Sequence, residues 1–103
     1  MNFFARKQGE PISVSFNVRA FIDSRMVRID LDTQGREGER FKDFVKRLAR
    51  EGLIDSSVSG FILGRSKSVT VLRNGKRLSM PAAGKEVLAD GDDISVLTPV
   101  AGG

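Results

Sequence analysis

The chain has 103 residues, with 17 Lys+Arg against 13 Asp+Glu, 40% hydrophobic and 29% charged. That is the balance of one globular domain, with too little chain for a second core. Neither Cys nor His occurs, which removes disulfides, thiolate metal ligands, a cysteine nucleophile and the commonest general base. A self-contained hydrolase or metalloenzyme is therefore not expected. No window approaches the roughly 20 apolar residues of a membrane span, and Met1 to Pro11 lacks the apolar core of a signal peptide. The expected location is the cytoplasm, with no membrane partner.

Ser13 to Phe21 alternates, with Val14, Phe16, Val18 and Ala20 on one face and Ser13, Ser15, Asn17 and Arg19 on the other. This predicts a half-buried strand. Met26 to Asp32 repeats the pattern through Val27, Ile29 and Leu31, and a short polar connection at Asp23-Ser24-Arg25 makes the two a hairpin. Thr33 to Gly38 reads as a breaker.

Phe41, Phe44, Val45 and Leu48 then recur at three-and-four spacing, opposite Lys42, Lys46, Arg47 and Arg50, which predicts a helix with a basic solvent face. Glu39 in the first turn, basic residues in the last and Gly52 beyond them agree with its macrodipole and C-cap. Leu53 and Ile54 are expected to close over the core. Asp55 to Ser59 reads as loop, and Phe61-Ile62-Leu63 is too short to classify.

Ser68 to Arg73 predicts a third strand, Asn74-Gly75 a hairpin turn, and Arg77 to Met80 a short returning strand. Asp90-Gly91-Asp92 marks a corner into a last strand, Asp93 to Thr98. Pro99 has no N–H to continue the pairing, so Val100-Ala101-Gly102-Gly103 should lie beyond the fold.

The segment Leu88-Ala89-Asp90-Gly91-Asp92-Asp93-Ile94-Ser95-Val96-Leu97-Thr98-Pro99-Val100-Ala101-Gly102-Gly103, taken with this element order, resembles the MoaD/ThiS family of ubiquitin-like sulfur-carrier proteins, including the small subunit of molybdopterin synthase. The resemblance implies an α+β, β-grasp fold. Its mixed sheet of four to five strands would pack on one main helix, with the first and last strands side by side. Residues 1–11 would be an N-terminal extension, 12–98 the β-grasp domain and 99–103 a flexible tail ending in Gly-Gly.

The resemblance further implies a protein cosubstrate with no catalytic residues, or a non-catalytic subunit of a sulfurtransferase or synthase. A ubiquitin-activating-type adenylating enzyme would use ATP to adenylate the Gly103 carboxylate. A sulfur donor would convert it to a thiocarboxylate, and an acceptor synthase or sulfurtransferase would take the sulfur for molybdopterin, tungstopterin, thiamine, tRNA or amino-acid biosynthesis. The chain itself would hold no cofactor or metal.

Elementary chemistry explains such a tail. A carboxylate is a poor electrophile and must first become a mixed anhydride inside a site that excludes water. Pro99, Val100, Ala101 and Gly102 would thread into that site, because two glycines without Cβ pass a narrow channel at least steric cost. The partner must also grip the folded body, since ordering the tail costs affinity. If Ile94 and Val96 face the core, Ser95 and Leu97 face outward. Thr70 and Leu72 extend that patch if Val69 and Val71 face inward, so these four form the expected docking surface.

Plainer readings stand beside this one. With 11 Gly among 103 residues, two at the final positions is roughly a one-in-a-hundred coincidence. The alternative functions are a modifier conjugated to lysines through Gly103, or a β-grasp module that binds RNA or protein. Asp90, Asp92 and Asp93 read as a structural, solvated turn rather than a metal site. Gly60 to Ser66 lacks the lysine of a P-loop. The basic set Lys42, Lys46, Arg47, Arg50, Arg65, Lys67, Arg73, Lys76 and Arg77 has no Trp or Tyr for base stacking, so direct nucleic-acid binding is not expected. Phe16, Phe41 and Phe44 read as core.

Overall fold

The computed structural model describes residues 7, 9–64, 69–79 and 82–98. Two long strands, β1 (Pro11–Ile22) and β2 (Arg25–Arg36), are followed by helices α1 (Phe41–Arg50) and α2 (Ser56–Leu63). Strands β3 (Thr70–Arg73) and β4 (Lys76–Leu78), a 3-10 turn (Ala82–Lys85) and β5 (Asp92–Leu97) complete the order. The sheet order is β2-β1-β5-β3-β4. β1 and β5 are parallel neighbours, and the other pairs are antiparallel. This is the mixed α+β β-grasp sheet that the family resemblance implies.

Both hairpin turns are legible from backbone chemistry. Asp23 and Ser24 adopt φ of 53° and 65°, and Asn74 and Gly75 adopt 52° and 81°, the left-handed pairs that match the twist of two-residue hairpins. β2 continues through Thr33 to Arg36, where the sequence reads as a breaker. Gly35 lies opposite Ile12, and a Cβ there would stand 3.2 Å from side-chain atoms of Ile12 and Val14. Its missing side chain lets the strand pass under the core rather than ending it.

The core fills the face of the sheet under the helices. Val14, Phe16, Val18, Val71, Ile94 and Val96 from the strands meet Phe41, Phe44, Val45 and Leu48 from α1. Phe16 and Phe44 meet edge to face, with centroids 5.8 Å apart. Two expectations are corrected here. Ser56 to Ser59 is the start of α2, not loop, because Val58 and Ile62, four residues apart, bury one face. Ile54 closes over the core, but Leu53 is 45% exposed.

A further correction concerns Arg47, which is buried rather than part of the solvated basic face. Its Nε and Nη2 donate to the two Glu39 oxygens at 2.9 and 3.1 Å, Nη1 to Glu51 at 3.0 Å, and Nη2 to the Gln34 carbonyl at 2.8 Å. The cation also lies 5.7 Å from the Phe44 ring centroid. The hydrogen bond to Glu39 raises its pKa, burial opposes this, and the Glu39 and Glu51 charges add to the rise. The pair ties α1 to the far end of the first hairpin.

Among the described residues no helix is long and apolar enough to cross a membrane.

Candidate functional site

Four residues of one sheet face meet across the β3–β5 pair. Thr70 lies opposite Leu97 and Leu72 opposite Ser95. All four are half-buried, whereas Val69, Val71, Ile94 and Val96 between them are turned into the core. The period of two therefore gathers the four predicted outward residues into one patch. Asn17 and Arg19 of β1 flank it beside Ser95 and Leu97, and Arg77 of β4 beside Leu72.

The end of β5 is tied down where the tail begins. The Thr98 N–H donates to the Arg19 carbonyl at 3.2 Å, and the Thr98 hydroxyl accepts the Phe21 N–H at 2.8 Å. Thr98 is thus held to β1 one residue before Pro99. Pro99, Val100, Ala101, Gly102 and Gly103 lie outside the described residues.

Sequence reasoning missed the apolar pair beside this root. Phe21 and Met26 face each other at the hairpin tip and are 39% and 51% exposed. Strand parity holds the missing signal: Phe21 falls on the face of Ser15, Asn17 and Arg19. Arg28 stands directly opposite Arg19, whose guanidinium bonds Asp30 at 2.7 Å. Arg77 is exposed as well, so the patch has apolar elements and a basic rim.

The acidic corner preceding β5 is structural, but it is not uniformly solvated. Asp92 is buried, accepts hydrogen bonds from the Ala89 N–H and Asn74 Nδ2 at 2.8 and 2.9 Å, and forms an ion pair with Arg73 Nη2 at 2.9 Å. Asp90 Oδ1 accepts the Ser13 N–H and Asp93 Oδ1 accepts Asn17 Nδ2. These carboxylates pin β5 to its neighbours. Among the described residues no group of His, Cys, Asp or Glu could hold a metal ion. Of the basic set, Arg47 and Arg73 are consumed by ion pairs, while Arg65 and Lys67 lie outside the described residues. A cleft of about 450 Å³ lined by Gln34, Arg36, Arg47 and Glu51 lies at the opposite end of the hairpin from Thr98.

Comparison with known structures bears on the fold. The Haloferax volcanii HVO 2177 protein matches with TM-score 0.65 and 19% identity over 100% of this chain and 97% of that one. Small archaeal modifier protein 1 of Haloferax volcanii matches with TM-score 0.51 and 25% identity over 86% and 99%. Its counterpart from Methanosarcina acetivorans gives 0.51 and 21% over 88% and 98%. No curated protein gives a significant sequence match. The ThiS family model matches residues 18–103, from the middle of β1 through the final glycine, and the chain therefore belongs to the ThiS family.

Proposed function

We propose that this protein is a sulfur carrier that works through its C-terminal carboxylate. A partner enzyme adenylates Gly103, and a sulfur donor converts it to a thiocarboxylate whose sulfur passes to an acceptor. The observation that carries this reading is the anchored root at Thr98 beside a half-buried outer patch, in a chain whose family match runs through Gly103. An activating enzyme needs both parts, a body to hold and an extended segment to admit.

In this reading the body supplies position and the partner supplies chemistry. Leu97 and Leu72 give apolar anchorage, while Thr70 and Ser95 keep the centre of the patch flat and small. Pro99 limits the conformations of the segment leaving Thr98, and Ala101, Gly102 and Gly103 present little bulk to a narrow channel. ATP belongs to the partner. The acceptor class is a matter for the acceptor enzyme, whether it builds a cofactor, modifies tRNA or makes an amino-acid precursor.

A second reading is favoured by the likeness to small archaeal modifier protein 1 at 25% identity. The same activated carboxyl would then be attacked by a lysine amine, giving an isopeptide bond. Deleting Gly103 tests what the two readings share. The truncated protein should fold as the full chain does and fail to be adenylated; adenylation at an undiminished rate would overturn both.

A further inference from the structure

β2 is an edge of the sheet, twelve residues long, and pairs with β1 in unbroken register. Edges that must stay single usually carry charged side chains, Lys above all, Pro, a bulge or a covering segment, and the charges on β2 are of both signs, with Arg28 beside Asp30 and Asp32. β2 has no Pro, no Lys and no bulge. Its inner row, Val27, Ile29 and Leu31, is only half-buried against the core.

The direction of its backbone groups follows from the hairpin. Ile22 and Arg25 flank a two-residue turn, so they form a bonded pair, and bonded and non-bonded pairs alternate from there. Val27, Ile29 and Leu31 consequently bond to β1, and Met26, Arg28, Asp30 and Asp32 turn their N–H and C=O groups to the open side. The hydrogen bonds of β1 agree. Arg19 and Phe21, opposite Arg28 and Met26, use their free groups on Thr98 at the far side. Higher up, the edge is closed, since the Gln34 carbonyl is taken by Arg47 and the Arg36 N–H by Glu39. Among the described residues nothing bonds the open-side backbone groups from Met26 to Asp32.

This open stretch is complementary to itself. An antiparallel two-fold axis at Ile29 sets Arg28 against Asp30 of a second copy, Asp30 against Arg28, and Met26 against Asp32. On the inner face it sets Val27 against Leu31 and Ile29 against itself. Moving the axis to Arg28 or Asp30 places like charges at the centre, and moving it to Leu31 sets Asp30 against Asp32. The axis at Ile29 gives opposite charges in register, a continuous apolar row and partners for every open backbone group.

We propose that the β2 edge is a homodimer interface, in which two copies pair Met26–Asp32 antiparallel about Ile29 and join their two five-stranded sheets into one. The C-terminal ends of the two β5 strands, two strands inward from the interface, point toward opposite ends of the joined sheet. Each carrier end therefore stays open to its own partner, and the dimer stands or falls independently of the sulfur chemistry.

Sedimentation velocity of the full chain from about 10 µM to 1 mM provides the test. The mass should rise toward twice that of one chain. R28D alone and D30R alone should each weaken association at least tenfold, because each sets like charges opposite twice. The R28D/D30R double variant should recover to within about threefold. Most tellingly, mixing the two single variants should give a heterodimer, since all four facing positions then pair Asp with Arg. Circular dichroism should show every variant folded. A chain that stays single throughout, or a dimer indifferent to both reversals, would overturn the proposal. So would protection of the Met26, Arg28, Asp30 and Asp32 amides against hydrogen exchange that appears only when another protein's extended segment is added.

Discussion

The Thr98 hydroxyl accepts the Phe21 N–H at 2.8 Å, joining the last residue before Pro99 to the first strand. A backbone donor bound to a side chain makes this contact a stability element, and the proposed function makes it a positioning element as well. Thr98→Val keeps the shape and removes the acceptor. It should cost about 1 kcal/mol by urea denaturation. It should also lower the efficiency of tail activation about two- to fivefold, chiefly through kcat, if Thr98 aims the segment. An unchanged activation rate with the same loss of stability would restrict Thr98 to a structural part.

Leu97 and Leu72 carry the apolar share of the proposed docking patch. Leu97→Asp places a charge at a half-buried outer position opposite Thr70, so the core beneath should be spared. The expected result is an increase of about 10- to 30-fold in the KM for the activating enzyme, with a melting temperature within a few degrees of the parent. A parent-like KM would move the docking surface elsewhere.

Glu39 and Arg47 side chains are 9% and 10% exposed, against 43% for Glu51. Breaking the first pair strands a buried charge, and Glu39→Gln should cost about 3 kcal/mol. Glu51→Gln, at an exposed i,i+4 pair, should cost less than about 0.5 kcal/mol. Chemical denaturation of both variants measures the contrast, and equal costs would contradict the burial assigned to Glu39.

Asp92 is expected to matter more than its position in an acidic turn suggests. Asp92→Ala removes the acceptor for two donors and the ion-pair partner of Arg73, and should destabilise by about 2–4 kcal/mol. Asp90→Ala, which gives up the exposed bond from the Ser13 N–H, should cost less than Asp92→Ala. A reversal of that order in thermal or urea unfolding would count against the corner as described.

The parts of the fold readable in the sequence are those in which one period dominates. Alternation places Val14, Phe16, Val18, Ile94 and Val96 inward, and the helical spacing of Phe41, Phe44, Val45 and Leu48 gives α1. α2 is hidden because Ser56, Ser57, Ser59 and Gly60 are weak helix formers, and its burial rests on Val58 and Ile62 packing from a short segment. Arg47 is misplaced by sequence because local pattern cannot foresee that Glu39 and the Gln34 carbonyl converge on it. The outer patch was legible through parity, and the same rule carried the signal for Phe21 that the sequence reading missed, whereas the hold of Arg19 and Phe21 on Thr98 depends on parallel β1–β5 pairing and could only be seen in three dimensions.

The central claim is that the Gly103 carboxyl is the working group, and intact mass spectrometry of the untagged protein tests it most directly. After incubation with its activating enzyme, ATP and a sulfur donor, the protein should gain about 16 Da, one oxygen replaced by sulfur, and a Gly103 deletion should gain nothing. An unshifted mass with a partner shown to be active on another carrier would contradict the account.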